Sequence, residues 1–225
     1  MYEKGSRAII SVRRLILVPA LITLGVTLAR LIGELQGGPR PWFNSEPGGG
    51  GALVGIAWLV PVFGFYFGRR LAAAGEGPSQ PGRVIGMGLL AFLLIAAVLT
   101  VGNLTLAGWP LPVLLVLTWA TSLVAATLPF RAWPALGRTL IAYGLAARLP
   151  VVVVTFFAMA GRWNTHYDSV PPDFPQYSLG VKFLALGAIP QLVFWVAFTV
   201  IVGSLFGGIA AALSARRREH APSAG

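Results

Sequence analysis

Six long apolar stretches, separated by short connections marked with arginine and turn formers, leave this chain few ways to fold. They run over about Leu15–Gly33, Ala52–Gly68, Val84–Ala107, Leu111–Pro129, Thr139–Gly161 and Leu179–Leu213. A helix needs about twenty mostly apolar residues to cross roughly 30 Å of hydrocarbon. The second stretch is near the short limit, and the sixth exceeds what a crossing requires. It must tilt, break at Pro190 or extend into the cytoplasm. The expected fold is all-α: a polytopic six-transmembrane-helix bundle forming one domain over residues 1–225. Of the 225 residues, 56% are hydrophobic and only 11% charged. A soluble domain carries about 25% charged residues, so lipid suits this surface better than water.

Charge placement gives the bundle a direction. If the N-terminus is cytoplasmic, twelve of the seventeen Lys and Arg residues fall on that side. They are Lys4, Arg7, Arg13, Arg14, Arg69, Arg70, Arg83, Arg131, Arg138 and Arg216 to Arg218. Three, Arg40, Arg162 and Lys182, fall outside, and Arg30 and Arg148 lie within spans. Basic residues collect on the cytoplasmic side of membrane proteins, so both termini are expected there. Losing or merging one span would spoil the alternation. The first stretch is too long for a signal h-region and lacks a small-x-small cleavage site, so it is expected to stay as a span. Residues 214–225 are expected to be a disordered basic tail.

The same placement interprets the net charge of +10. Cations beside apolar runs suit anionic lipid at the cytoplasmic face rather than nucleic acid. Fifteen of the seventeen cations are arginine, and Gly, Ala and Pro are abundant, a bias of GC-rich bacterial genomes. The expected location is therefore a bacterial inner membrane, crossed several times. With no cysteine, disulfides, thiolate metal sites and redox dithiols are excluded.

Arg148 is the sharpest functional candidate. It follows Arg138 by ten residues, about 15 Å of helix, which places it near mid-bilayer. A central arginine costs roughly 2.5–3.5 kcal/mol on insertion scales, so it should face protein or a wet cavity. None of the seven acidic residues falls in a span core. Arg148 must therefore use carbonyls, hydroxyls, water, another subunit or an anionic ligand. Pro150 withholds an N–H from the carbonyl of Ala146, an acceptor Arg148 could use. The competing reading is an interfacial segment from Trp133 to Arg148, with the arginine snorkelling to the surface.

Neutral polar residues supply further candidates. Thr118, Thr121 and Ser122 share one face of the fourth span. They can line a polar path, or bond their own i−4 carbonyls. Gln191 beside Pro190 can contact a substrate or join helices. Arg30 and Glu34, spaced i,i+4, should neutralise each other. The pairs Gly64/Gly68 and Gly203/Gly207 have helix-packing spacing and are expected to serve internal contacts rather than a dimer seam.

Two outer connections, 37–51 and 162–178, are rich in turn formers and aromatics. His166, Asp168 and Asp173 in the second could make a metal or acid–base site, though a solvated turn is the simpler reading. The Gly48–Gly51 run lacks a following Gly-Lys-Ser/Thr and is no phosphate loop. No span holds the histidine that an intramembrane protease or haem ligation needs, the mid-span lysine of a retinal Schiff base, or the carboxylates of a proton relay.

No motif assigns a chemistry. In size and helix count the chain is similar to small six-helix bacterial proteins such as the vitamin-binding subunits of energy-coupling transporters, a similarity of architecture alone. The leading expectation is a protein that binds or translocates a small solute or ion between the fourth, fifth and sixth spans. Arg148, Gln191, Thr118, Thr121 and Ser122 would be the ligand-binding residues. The alternative is a non-catalytic accessory subunit in which Arg148 meets a partner's carboxylate, in a homo-oligomer or a larger complex. The third is a lipid-modifying enzyme using the His166 loop. Catalytic residues, metal and cofactor are expected to be absent.

Overall fold

The computed structural model describes residues 11–105, 110–172, 174 and 176–219, and six helices follow the six apolar stretches. They are α1 (Val12–Leu35), α2 (Leu59–Ala73), α3 (Pro81–Thr105), α4 (Leu111–Ala132), α5 (Pro134–Gly161) and α6. The last is one helical run joined from Leu179–Lys182, Phe183–Ala188, Pro190–Phe194 and Trp195–Glu219. Among the described residues there is no strand. α6 carries helix through 214–219, the first half of the expected tail; the remainder lies outside the described residues.

Turn chemistry sets the helix ends. After α1, Gly37 takes φ 69°, its N–H bonds Glu34 O, and Gly38 N–H bonds Gly33 O. After α2, Gly75 takes φ 81°, its N–H bonds Ala72 O, and Glu76 N–H bonds Leu71 O. Both are Schellman closures, which need a residue in the left-handed region where only glycine is unstrained. Pro81 and Pro134 open α3 and α5 at a position where no N–H is required.

Five helices, all but α2, are long and apolar enough to cross a membrane. α2 has 15 residues, about 22 Å of helix, and starts at Leu59 rather than near Ala52. Residues 52–58 are irregular instead. Ala52, Gly55, Ile56, Ala57 and Trp58 of this segment line a cavity, a setting in which non-helical backbone is tolerated even among membrane helices.

α6 is the hub and packs against α2, α3, α4 and α5, while α1 lies mainly on α5. In its most apolar window 56% of residues are buried, against 22% in α1 and in α3. The α2–α6 contact is a glycine seam. A methyl at Gly64 would lie 2.5 Å from Gly203 Cα, and one at Gly68 2.5 Å from Gly207 Cα. Gly64 and Gly68 thus let the two backbones approach closely, while a methyl at Gly203 or Gly207 would meet first Leu140 or Leu136 of α5, so all four glycines serve packing within the chain.

The outward faces are apolar: Leu17, Leu21, Leu93, Val116, Val124 and Phe157 are all exposed. Buried positions, by contrast, include Thr23, Thr27, Ser122, Thr139, Arg148 and Thr199. A polar minority inside and an apolar exterior is an arrangement for lipid rather than water.

Candidate functional site

At the end of the bundle that carries the 36–58 and 162–178 connections, a cavity of about 610 Å³ runs between α1, α5 and α6. Its volume falls in the range of small-molecule sites, about 300–1,000 Å³. Gly48 to Gly51 with His166, Tyr167 and Ser169 wall its mouth, while Arg148, Gln191 and Trp195 form its floor.

The floor follows from two local features of sequence. The first is the unbroken α5, 28 residues long despite Pro150, which carries Arg148 midway along a helix long and apolar enough to cross a membrane. The second is Pro190. α6 does not break there but widens into π-helical turns over Phe183–Ala188 and Pro190–Phe194. In that register Ile189 N–H bonds Leu184 O and Trp195 N–H bonds Pro190 O. The next carbonyl, that of Ala185, would need the N–H that proline lacks. Ala185, Leu186, Pro190 and Gln191 all line the cavity, and π-turns recur at functional sites.

Arg148 is almost completely buried, 4% exposed. Its Nη1 donates to Gln191 Oε1 at 3.2 Å, and its Cζ lies 4.5 Å from the centroid of the Trp195 ring. A desolvated cation–π contact contributes about 2 kcal/mol. Its Nε is buried with no hydrogen-bond partner. No ion pair to Arg148 occurs among the described residues.

The mouth is built differently. Glu34 sits in the last turn of α1, where the helix dipole disfavours a carboxylate, and its side chain is fully shielded from solvent. Three donors offset this. Arg30 Nε bonds Oε1 at 2.9 Å, His166 N–H bonds Oε2 at 2.8 Å, and His166 Nδ1 lies 2.7 Å from Oε2. A carboxylate only accepts, so Nδ1 carries the hydrogen. Arg30 Nη2 continues to the carbonyl of Gly49 at 2.7 Å. Gly49 has φ +58°, and a methyl there would meet the Arg30 guanidinium and stand 2.7 Å from His166. The glycine run thus closes over a charged cluster.

Burial pushes the His166 imidazole below its ordinary range, with Arg30 adding to the effect and the Glu34 hydrogen bond opposing it. Burial likewise pushes the neighbouring Tyr167 hydroxyl up to about 12. Asp168 is held within its own turn, accepting from Thr165 N–H and Oγ1, both at 2.7 Å, and from Asn164 N–H at 3.0 Å. It forms no hydrogen-bonded pair with His166. Asp173 lies outside the described residues. Among the described residues no group of three metal-ligating side chains occurs.

Of the residues singled out from sequence, Arg148 and Gln191 meet at the floor. Thr118, Thr121 and Ser122 do not line the cavity. Thr118 Oγ1 donates to Leu114 O at 2.9 Å, and Ser122 Oγ to Thr118 O at 2.6 Å. α4 contributes Leu115 to the lining, whereas α1 contributes Thr27 and Arg30. The Arg30–Glu34 pair forms as the spacing suggests, but its third member, His166, lies 132 residues away and leaves no local signal. Trp195 was also missed. It is four residues from Gln191, so the two share a helix face, a usable clue. Comparison with protein-family models, curated proteins and solved structures finds no match.

Proposed function

We propose that this chain is a bacterial inner-membrane protein with six crossings and both termini in the cytoplasm, which binds or translocates a small solute entering from the outer side. Arg148 carries this reading. An almost fully buried arginine with an unpartnered Nε faces a cavity. Burying such a donor without a partner costs about 1–3 kcal/mol, and a ligand's acceptor offsets that cost. The arginine bias supports the orientation, and α2 with residues 52–58 supplies the sixth crossing. Anionic lipid at the cytoplasmic face suits the same cations. The accessory-subunit reading has less support, because the glycine seams that would join a partner are occupied inside the chain.

Two measurements test the proposal. The chain has no cysteine, so Ser45→Cys and Ser79→Cys report topology directly. Membrane-impermeant labelling from outside should modify only Ser45→Cys. For function, native mass spectrometry of gently extracted protein should show a small bound molecule that Arg148→Ala loses while remaining folded. Retention by the variant sinks the assigned role, and a co-purifying subunit in place of a ligand favours the accessory reading.

A further inference from the structure

The cavity floor constrains the chemistry of what it binds. A guanidinium offers two forked edges, Nη1–Nη2 and Nε–Nη2, each able to grip a two-oxygen group. Gln191 Oε1 occupies Nη1. Nε, on the second edge, is buried and unpartnered. Trp195 covers one face of the guanidinium, and the N–H donors point within its plane, so a hydrogen-bonded ligand approaches along that plane.

Every polar side chain at the floor is a donor. Arg148 has no acceptor, and Gln191 has its carbonyl on Arg148, which leaves its amide N–H₂. A group carrying its own N–H or O–H would have to share the Gln191 carbonyl, already on Arg148, or turn to a backbone carbonyl such as that of Ala185. The charge balance is equally narrow. Arg148 has no carboxylate partner among the described residues. The other arginine of the cavity, Arg30, is already held by Glu34 and Gly49. One uncompensated cation in a desolvated floor matches one negative charge, and a dianion would bring an excess. Above the floor the lining includes Val151, Met159, Leu186 and Tyr167, which suits an apolar body.

We infer that the solute is an organic monocarboxylate, gripped side-on by the Nε–Nη2 edge of Arg148 with its apolar body pointing towards the mouth. This rests on the cavity reading proposed above and specifies its ligand class.

The test uses full-length protein in nanodiscs and isothermal titration. The probes are benzoate, 3-phenylpropanoate and indole-3-butyrate, each with its primary amide and alcohol, and benzylphosphonate as a dianion. The inference expects at least one carboxylate to bind tenfold or more tighter than its amide, its alcohol and the phosphonate. Arg148→Lys keeps the charge but loses the fork, and it should weaken that carboxylate at least tenfold while its unfolding midpoint stays near that of the parent. Leu186→Trp, which fills the cavity, should abolish binding. Equal binding of carboxylate and amide, tightest binding of the phosphonate, or full affinity in Arg148→Lys overturns the carboxylate assignment. If Leu186→Trp still blocks binding in those cases, the cavity reading survives. No binding by any probe, or binding indifferent to Leu186→Trp, overturns both.

Discussion

Two arginines line one cavity and have opposite electrostatic surroundings. Arg30 at the mouth has a carboxylate, two backbone carbonyls and a histidine-linked network around it. Arg148 at the floor has one 3.2 Å hydrogen bond to an amide and the face of an indole. The first arrangement is what a protein does when a charge must be buried for the sake of the fold. The second leaves a charge partly unanswered, which costs stability unless something else completes it. On the proposed reading the difference separates a structural arginine from one kept for a ligand, although both are helix-borne cations, Arg148 buried and Arg30 partly so.

The comparison is easiest to break at the mouth. Arg30→Met leaves the Glu34 carboxylate buried without its charge partner, and such losses cost about 3–5 kcal/mol. Chemical unfolding in detergent should show that loss, and adding Glu34→Gln should recover part of it. If Arg30→Met is silent, the mouth cluster does not hold the fold. Next is Gly49→Ala. Its methyl would collide with Arg30 and His166 at a positive φ, for about 1–3 kcal/mol by overpacking and strain. Ligand affinity at the floor should change far less than stability.

His166 adds a pH signature. Its folded pKa lies below the ordinary value, mainly through burial. The fold therefore binds this proton less readily than the unfolded chain does. Stability from this group is complete above about pH 6.5 and declines as the pH falls towards the folded value, by at most ~1.4 kcal/mol per pH unit. Unfolding midpoints between pH 7.5 and 5.5 should show the decline, and His166→Asn should flatten it. An unchanged slope in that variant would remove His166 from the account. The smallest effect belongs to Trp195→Phe, which keeps a ring under Arg148 with a weaker quadrupole. It should cost about 0.5–1 kcal/mol in ligand affinity and leave the mouth untouched.

Much of the fold was legible because lipid imposes simple rules. Apolar runs located all six helices, and the glycine pairs on α2 and α6 announced a close contact. Helix ends depart from the apolar runs where turn chemistry sets the terminus. Gly75 marks a Schellman closure, so α2 runs through Arg69 and Arg70 to Ala73 rather than stopping near Gly68. Its start is not legible, because residues 52–58 are apolar yet irregular, with Ala52 and Gly55 to Trp58 lining the cavity. Arg148 stood out because a charge in an apolar run is costly, and Gln191 because it adjoins a proline. The hydroxyls of α4 showed how little a shared face decides, since Thr118 and Ser122 turn back on their own helix. The Glu34–His166 contact joins the end of α1 to a distant connection, and no local pattern encodes it.

On the proposed reading, Arg148 and Gln191 are kept for a ligand and not for the fold. The most direct measurement is the unfolding midpoint of the ligand-free double variant Arg148→Met, Gln191→Leu beside Arg30→Met. Replacing both members of an imperfect buried polar pair by apolar groups of similar shape is close to neutral or stabilising. The account predicts a midpoint equal to or above that of the parent protein, with ligand binding gone. A loss of stability as large as that of Arg30→Met would contradict it and make both arginines structural.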